Sequence, residues 1–283
     1  MTITTEQATW FAQTFSALAD NVERAVLGKR HVVELVLTAM LSEGHVLLED
    51  VPGTGKTSLA RAVAQSVPGT STRLQFTPDL LPGDITGITV YDQKTGEFAF
   101  HAGPIFANIV LADEINRASP KTQSALLEVM EEGRVTIDGV TRSVGKPFLV
   151  IATQNPVEQA GTYRLPEAQL DRFLLRTSLG YHDHAATVRI LGRAAAPIDE
   201  LAPVITPGAL AGMAELATDV YVDALVLDYI ARLVVATRSA DEVRLGVSIR
   251  GALALTRASR AHAAAQGRTY VTPDDVKRLA VAV

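Results

Sequence analysis

The segment Glu49-Asp50-Val51-Pro52-Gly53-Thr54-Gly55-Lys56-Thr57 constrains this chain more than any other. It follows the apolar run His45-Val46-Leu47-Leu48, which reads as a strand, and precedes Ser58-Leu59-Ala60-Arg61-Ala62-Val63-Ala64, which reads as a helix. A strand, a glycine-rich turn and a helix opening on Lys-Thr make a phosphate-binding loop. Backbone N–H groups of the turn and of the helix N-terminus point at phosphates, Lys56 supplies a positive charge, and Thr57 offers its hydroxyl to Mg²⁺. The usual pattern has a glycine five residues before the second one, where this chain has Asp50. Gly53 and Gly55 remain where the backbone must bend and approach the phosphates, so the loop reads as intact.

At 283 residues the chain has room for one large domain, or for a main domain with a smaller second one. Hydrophobic residues make up 47% and charged residues 20%, which supports a packed core and argues against disorder. A net charge of -5 without a long run of Lys or Arg points away from a polyanionic partner, so no nucleic acid is expected. The lack of cysteine removes disulfides, thiolate zinc sites and thiol nucleophiles, and fits a reducing cytoplasm. The first basic side chain is Arg24, so the basic start of a secretory signal is missing. Long apolar stretches are interrupted by charge, as Asp223, Asp228 and Arg232 interrupt Tyr221 to Thr237. A cytoplasmic protein without membrane insertion is expected.

Met1 to Arg24 reads as an amphipathic lead-in helix, Val26-Leu27-Gly28-Lys29 as a turn and His31 to Ser42 as a helix. Strands and helices then alternate, which favours a largely parallel sheet covered on both faces. The strand candidates are Val46–Glu49, Thr72–Phe76, Ile109–Ala112, Phe148–Thr153 and Phe173–Ser178, and their apolar runs suit burial on both sides. Two hairpins interrupt the series. Gly87 to His101 sets Ile88 and Val90 opposite Phe98 and Phe100, and Val135–Ile137 and Val140–Arg142 flank Asp138-Gly139. After Gly180 the pattern turns helical; Val222, Leu225, Val226, Tyr229, Ile230, Leu233 and Val234 hold one helix face. Ser119-Pro120, Thr206-Pro207 and Thr272-Pro273 read as N-caps followed by a first-turn proline. The expected division is a lead-in helix (1–25), an α/β nucleotide-binding domain (26–196) and a small all-helical lid domain (197–283).

Asn108-Ile109-Val110-Leu111-Ala112-Asp113-Glu114 is a buried strand ending in two carboxylates. Downstream of a phosphate loop, Asp113 would hold the magnesium shell and Glu114 would take a proton from the attacking water. Asn155 ends a second buried strand, Phe148 to Gln154, where it could bond the γ-phosphate or orient the water. Arg172 and Arg250 gain interest from their order after these elements.

The ordered series resembles the AAA+ ATPases, and within them the MoxR family of the helix-2-insert branch, over nearly the whole chain from about Val26. The most specific stretches are Leu48 to Thr57, Asp113-Glu114-Ile115-Asn116-Arg117-Ala118, Ala152-Thr153-Gln154-Asn155-Pro156 and Leu165 to Phe173. The resemblance implies an AAA+ P-loop body with a five-stranded parallel sheet, helices on both faces and two inserted hairpins, followed by the helical lid. It implies ATP and Mg²⁺, with Pro52, Gly53, Thr54, Gly55, Lys56, Thr57 and Ser58 on the phosphates. Leu27 and Gly28 would lie by the adenine, and Thr57 and Asp113 on the metal. It makes Glu114 the catalytic base, Asn155 sensor 1, Arg172 an arginine finger reaching a neighbouring subunit, and Arg250 sensor 2. Asp50 in place of glycine is usual in that branch, whereas Ile249 stands where a proline usually precedes sensor 2. Such relatives commonly continue past the position of Val283, so a shortened chain is expected.

The function implied is Mg²⁺-dependent ATP hydrolysis by a homo-oligomeric, hexameric ring that remodels or matures a protein client, together with a von Willebrand factor A domain partner. Two alternatives are a DNA-associated ring ATPase and a nucleotide-gated scaffold without turnover. The acidic net charge speaks against the first, and the presence of Glu114, Asn155 and Arg172 against the second.

Overall fold

The computed structural model describes residues 2–51, 53–155, 161–192 and 194–283. Two helices, α1 (Thr5–Glu23) and α2 (Arg30–Leu41), precede the first strand. The Thr4 hydroxyl accepts from Gln7 N while the Gln7 side chain accepts from Thr4 N, a reciprocal cap that starts α1. The α/β series follows: β1 (Val46–Glu49), α3 (Lys56–Ser66), β2 (Ser71–Gln75), α4 (Pro82–Thr86), β3 (Gly87–Asp92), β4 (Glu97–Ala102) and β5 (Ile109–Asp113). It continues through a 3-10 turn (Ile115–Arg117), α5 (Pro120–Glu132), β6 (Arg134–Ile137), β7 (Val140–Ser143), β8 (Leu149–Gln154), α6 (Glu167–Leu170) and β9 (Leu175–Thr177). The rest is helical: α7 (His184–Leu191), α8 (Pro207–Thr218), α9 (Ala224–Thr237), α10 (Ile249–Ala265) and α11 (Pro273–Leu279).

Five strands form one parallel sheet in the order β2-β5-β8-β1-β9. Side chains alternate between its faces, and each face owns a core. Val46, Leu48, Ile109, Leu111, Leu149 and Ile151 pack with α1, α2, α3 and the C-terminal helices. Leu47, Val110, Ala112, Val150 and Ala152 pack with residues of α5 on the other side. The C-terminal helices therefore share a continuous apolar core with the body. All three anticipated Ser/Thr-Pro helix starts are present, and the Ser119 and Thr206 hydroxyls accept from the amides of Thr122 and Ala209.

Four expectations need correction. The first hairpin is shifted by one residue: Phe98 pairs with Tyr91 and Phe100 with Thr89, while Ile88 and Val90 face His101 and Ala99. Asp92 and Glu97 close a four-residue turn in which Gly96 N donates to Asp92 O, so even positions on one strand meet odd ones on the other. β2 lies at the sheet edge and is largely exposed rather than buried on both faces. Leu225 is exposed on α9, whose buried stripe is Val226, Ile230 and Val234. The last strand is also shorter than expected. Phe173 N donates to Leu170 O and closes a turn, so pairing resumes where Leu174 N and Leu175 N meet His45 O.

His45 joins three elements at the amino edge of the sheet. Its Nδ1 accepts from Val150 N (3.0 Å), which leaves the proton on Nε2 to donate to Met130 O (3.0 Å). Burial, reinforced by the charge of Arg257, pushes its pKa down to about 4. The unfolded chain protonates this ring as pH falls through about 6.5, but the folded chain does so only near 4. Its contribution is therefore fully present above pH 6.5 and declines toward pH 4, by on the order of 3 kcal/mol in total. Urea unfolding from pH 7 to pH 4 should show a shallower pH slope in His45→Gln than in the wild type, with lower stability at pH 7. Equal slopes in the two proteins would contradict the role assigned to this ring.

Candidate active site

At the carboxyl edge of the sheet, β1 runs into the loop that opens α3. Gly53 and Gly55 both adopt left-handed backbone (φ +83° and +94°), which a side chain would strain. A Cβ built at either position would meet no atom within 4 Å, so the concave side is open for a ligand. Gly55 caps α3 without a side-chain acceptor, leaving first-turn amides available to an anion. Thr54 is buried and its hydroxyl donates to Val51 O (3.3 Å), which folds the loop on itself. Lys56 Nζ donates to Asp50 O (2.7 Å) and Val51 O (2.9 Å), and burial lowers its pKa. Ser58 is half-buried in the same helical turn. Pro52 lies outside the described residues.

Asp113 ends β5 and is 5% exposed. Its Oδ1 accepts from Thr153 Oγ1 (3.0 Å), and its Oδ2 accepts from Arg73 Nε (2.8 Å) and Thr57 Oγ1 (3.3 Å). Glu114 follows with φ +56°, a costly conformation for a residue with a side chain, which swings its carboxylate off the strand line. Glu114 N donates to Thr153 Oγ1 (3.0 Å), while Glu114 Oε2 accepts from Gln75 Nε2 (2.8 Å) and Arg117 Nη1 (2.9 Å). Asn155 is buried just past β8, and its carbonyl accepts from Asn116 Nδ2 (3.4 Å). Asn116 Oδ1, buried beside it, has no hydrogen-bond partner among the described residues.

Lys56, Thr57, Asp113, Glu114 and Asn155 thus gather on one edge. Sequence reading missed Arg73, Gln75 and Thr153, which address the same two carboxylates. The register Gln75↔Asp113 would have pointed to Gln75, but it follows from strand order and not from any local pattern.

Leu27 is buried, and Gly28 is left-handed (φ +71°) with Ala186 Cβ 3.0 Å from where a side chain would begin. That turn lies close to the loop through the segment after β9: Lys29 Nζ donates to Leu179 O, and Gly180 N donates to Asp50 Oδ2.

Arg172 and Arg250 lie elsewhere. Arg172 Nε donates to Glu131 Oε2 (2.8 Å) and Arg250 Nη2 to Glu131 Oε1 (2.5 Å). The hydrogen bond from Arg172 and the charge of Arg250 hold the Glu131 carboxyl below its usual range. Glu131 sits in the last turn of α5, next to Met130, whose carbonyl meets His45 at the start of β1. A cavity of about 180 Å³ there is lined by Glu131, Arg172, Arg250, His45 and Arg257. The five steps from His45 to Asp50 along β1 amount to roughly 16 Å, so neither arginine adjoins its own chain's phosphate loop.

These groups suit a nucleoside triphosphate with Mg²⁺. The open glycine cradle, the uncapped helix start and an ammonium resting on carbonyls match phosphates, and Thr57 and Asp113 supply adjacent hard oxygens for the ion. Among the described residues no cluster of three His, Asp or Glu side chains offers an all-protein metal cage, and no helix is long and apolar enough to cross a membrane.

Comparison with known proteins agrees with this geometry. Residues 45–175 match the ATPase family associated with various cellular activities (AAA), and residues 235–283 match an AAA lid domain. The chain is 51% identical over 263 residues to the uncharacterized protein YeaC of Bacillus subtilis, covering 92% of this chain and 82% of the relative. It is 44% identical over 264 residues to the chaperone MoxR1 of Mycobacterium tuberculosis, covering 90% and 70%. A crystal structure from Cytophaga hutchinsonii, provisionally described as an ATPase, matches with a TM-score of 0.89 at 36% identity. The match covers 98% of this chain and 88% of that one. With its α/β body, helical lid and phosphate loop, the chain belongs to the MoxR family of AAA+ ATPases.

Proposed function

We propose that the protein is a Mg²⁺-dependent ATPase that works as a homo-oligomeric, hexameric ring and remodels or matures a protein client. The working division is 1–25, 26–196 and 197–283. The observation that carries the ring is the division of the site between two edges. The phosphate loop, Asp113, Glu114 and Asn155 occupy one edge, while Arg172 and Arg250 share Glu131 a strand's length away. A neighbour presenting its arginine pair to this chain's phosphate loop would complete the site.

Lys56 exchanges its loop carbonyls for phosphate oxygens, and the first-turn amides of α3 bind alongside it. Thr57 and Asp113 would hold Mg²⁺, which when bound offsets charge across the β- and γ-phosphates. Glu114 accepts a proton from water through the oxygen not committed to Gln75 and Arg117. Asn155 orients that water, and Arg172 and Arg250 of the neighbouring copy meet the charge that develops on the transferred group. The β3–β4 hairpin exposes Ile88 and Val90 on one face and Tyr91 and Phe98, with rings 5.2 Å apart, on the other, and this exposed apolar surface is the proposed client contact. The Mycobacterium tuberculosis relative is named a chaperone, and a von Willebrand factor A domain protein is the proposed adaptor.

Lys56→Ala should weaken ATP binding roughly 10- to 100-fold, by loss of a charged hydrogen-bond donor. Glu114→Gln should bind normally and hydrolyse about 10²- to 10⁴-fold more slowly. Phosphate release and fluorescent-nucleotide titration separate the two, and normal turnover in Glu114→Gln would contradict its role. Full binding without phosphate release from assembled wild-type protein would favour a scaffold instead.

Arg172→Ala and Arg250→Ala should bind ATP normally, and the first should hydrolyse it about 10³- to 10⁵-fold more slowly. Mixing Arg172→Ala with Lys56→Ala protein pairs some intact loops with intact fingers, so activity should partly return. If mixed rings form and stay inactive, Arg172 does not act across the interface. Affinity capture with Glu114→Gln protein in ATP should retain a client that is lost when Tyr91→Ser and Phe98→Ser are added. Unchanged capture would place the client contact away from this hairpin.

A further inference from the structure

The loop residue that replaces the usual glycine carries a connection that the nucleotide chemistry above does not use. Asp50 is 8% exposed, and both carboxylate oxygens are committed: Oδ1 accepts from Val51 N (2.9 Å) and Oδ2 from Gly180 N (2.7 Å). Lys29, 7% exposed, lies at the turn beside Leu27 and Gly28. Its ammonium donates to three successive carbonyls, Leu179 O (2.6 Å), Gly180 O (3.1 Å) and Tyr181 O (2.9 Å), which uses all three of its protons. Leu179 C=O and Gly180 N–H belong to the same peptide group. That single peptide therefore stands between a buried carboxylate and a buried ammonium, with its N–H toward the negative end and its C=O toward the positive end.

The arrangement is cooperative for an electrostatic reason. A peptide polarised by an anion at its N–H becomes a better acceptor at its carbonyl, and both bonds here are charge-assisted in a low-dielectric setting. Gly180 holds a left-handed backbone (φ +63°), which turns the chain between the two charges. The same segment leads into α7, whose Ala186 abuts Gly28. Phosphate loop, base-side turn and the start of the helical connection are thus tied through one peptide.

We propose that Asp50 and Lys29 are positioning residues for nucleotide binding that act together through the Leu179–Gly180 peptide. They set the spacing between the phosphate loop and the turn at residues 27–29. The inference rests on the nucleotide reading of the phosphate loop given above. Nucleotide bound at both ends should in turn stiffen residues 179–181.

The test is a double-mutant cycle with Asp50→Asn and Lys29→Met, read as the dissociation constant of a fluorescent ADP analogue and the KM for ATP. Each single variant should weaken binding about tenfold, and the pair should stay well short of the hundredfold that independent sites give. Lys29→Arg, which keeps charge and donors, should recover most of the loss. If Lys29→Met does not fold, amide exchange on wild type and Asp50→Asn decides. Added ADP should protect the 179–181 amides in the first and not in the second. Multiplying effects, or unchanged affinity in Asp50→Asn, or equal protection in both proteins would overturn the proposal. Lys56→Ala serves as the control. If it binds the analogue normally, the nucleotide reading itself fails; if it loses binding while the cycle is additive, the coupling alone fails.

Discussion

Asp113 is almost excluded from water, and burying a carboxylate is costly unless its oxygens are hydrogen-bonded. Thr153 on β8 takes one oxygen, and Arg73 on β2 and Thr57 on α3 take the other. One side chain thereby fixes the mutual positions of three strand ends and the helix that opens from the phosphate loop. The hydroxyl that serves Asp113 also receives Glu114 N, so the strained backbone at Glu114 is held by the same contact. The phosphate loop, Asp113 and Glu114 are placed together because the parallel strands all deliver their carboxyl ends to one edge.

The opposite edge is organised by a different carboxylate. Glu131 receives Arg172 from the turn before β9 and Arg250 from the start of α10, joining body and helical lid through one acidic group. In the separate chain this compensates two cations lying near each other and limits their side-chain freedom. The lid is also anchored apolarly, since α10 buries Ala254, Leu255 and Ala258 in the core shared with α1 and α2. The proposed two-copy site would need both edges to be rigid, and each edge has its own organising carboxylate.

Much of this was legible in the chain itself. The glycine loop, the carboxylates ending β5, the Asp138-Gly139 turn and the Ser/Thr-Pro helix starts are local devices, each marked within a few residues of sequence. One slip, the hairpin register, was local, and for the others the missing information was non-local. The hairpin register depends on how Asp92 and Glu97 close the turn, and the exposure of β2 on its place at the sheet edge. Gln75 and Arg73 are ordinary polar residues until β2 is paired with β5.

The sequence by itself determined a phosphate-loop strand-loop-helix unit and a pair of adjacent carboxylates at the end of a second strand. Those features follow from dihedral requirements, apolar runs and adjacent charges. Only the tertiary structure decided which distant groups meet. Arg172 and Arg250 converge on Glu131, and Asp50 and Lys29 reach one peptide between them, although nothing in their local sequence marks the encounter. The physical reason is that a charged group meets only the partners that packing brings within its reach, and packing is set by the whole core.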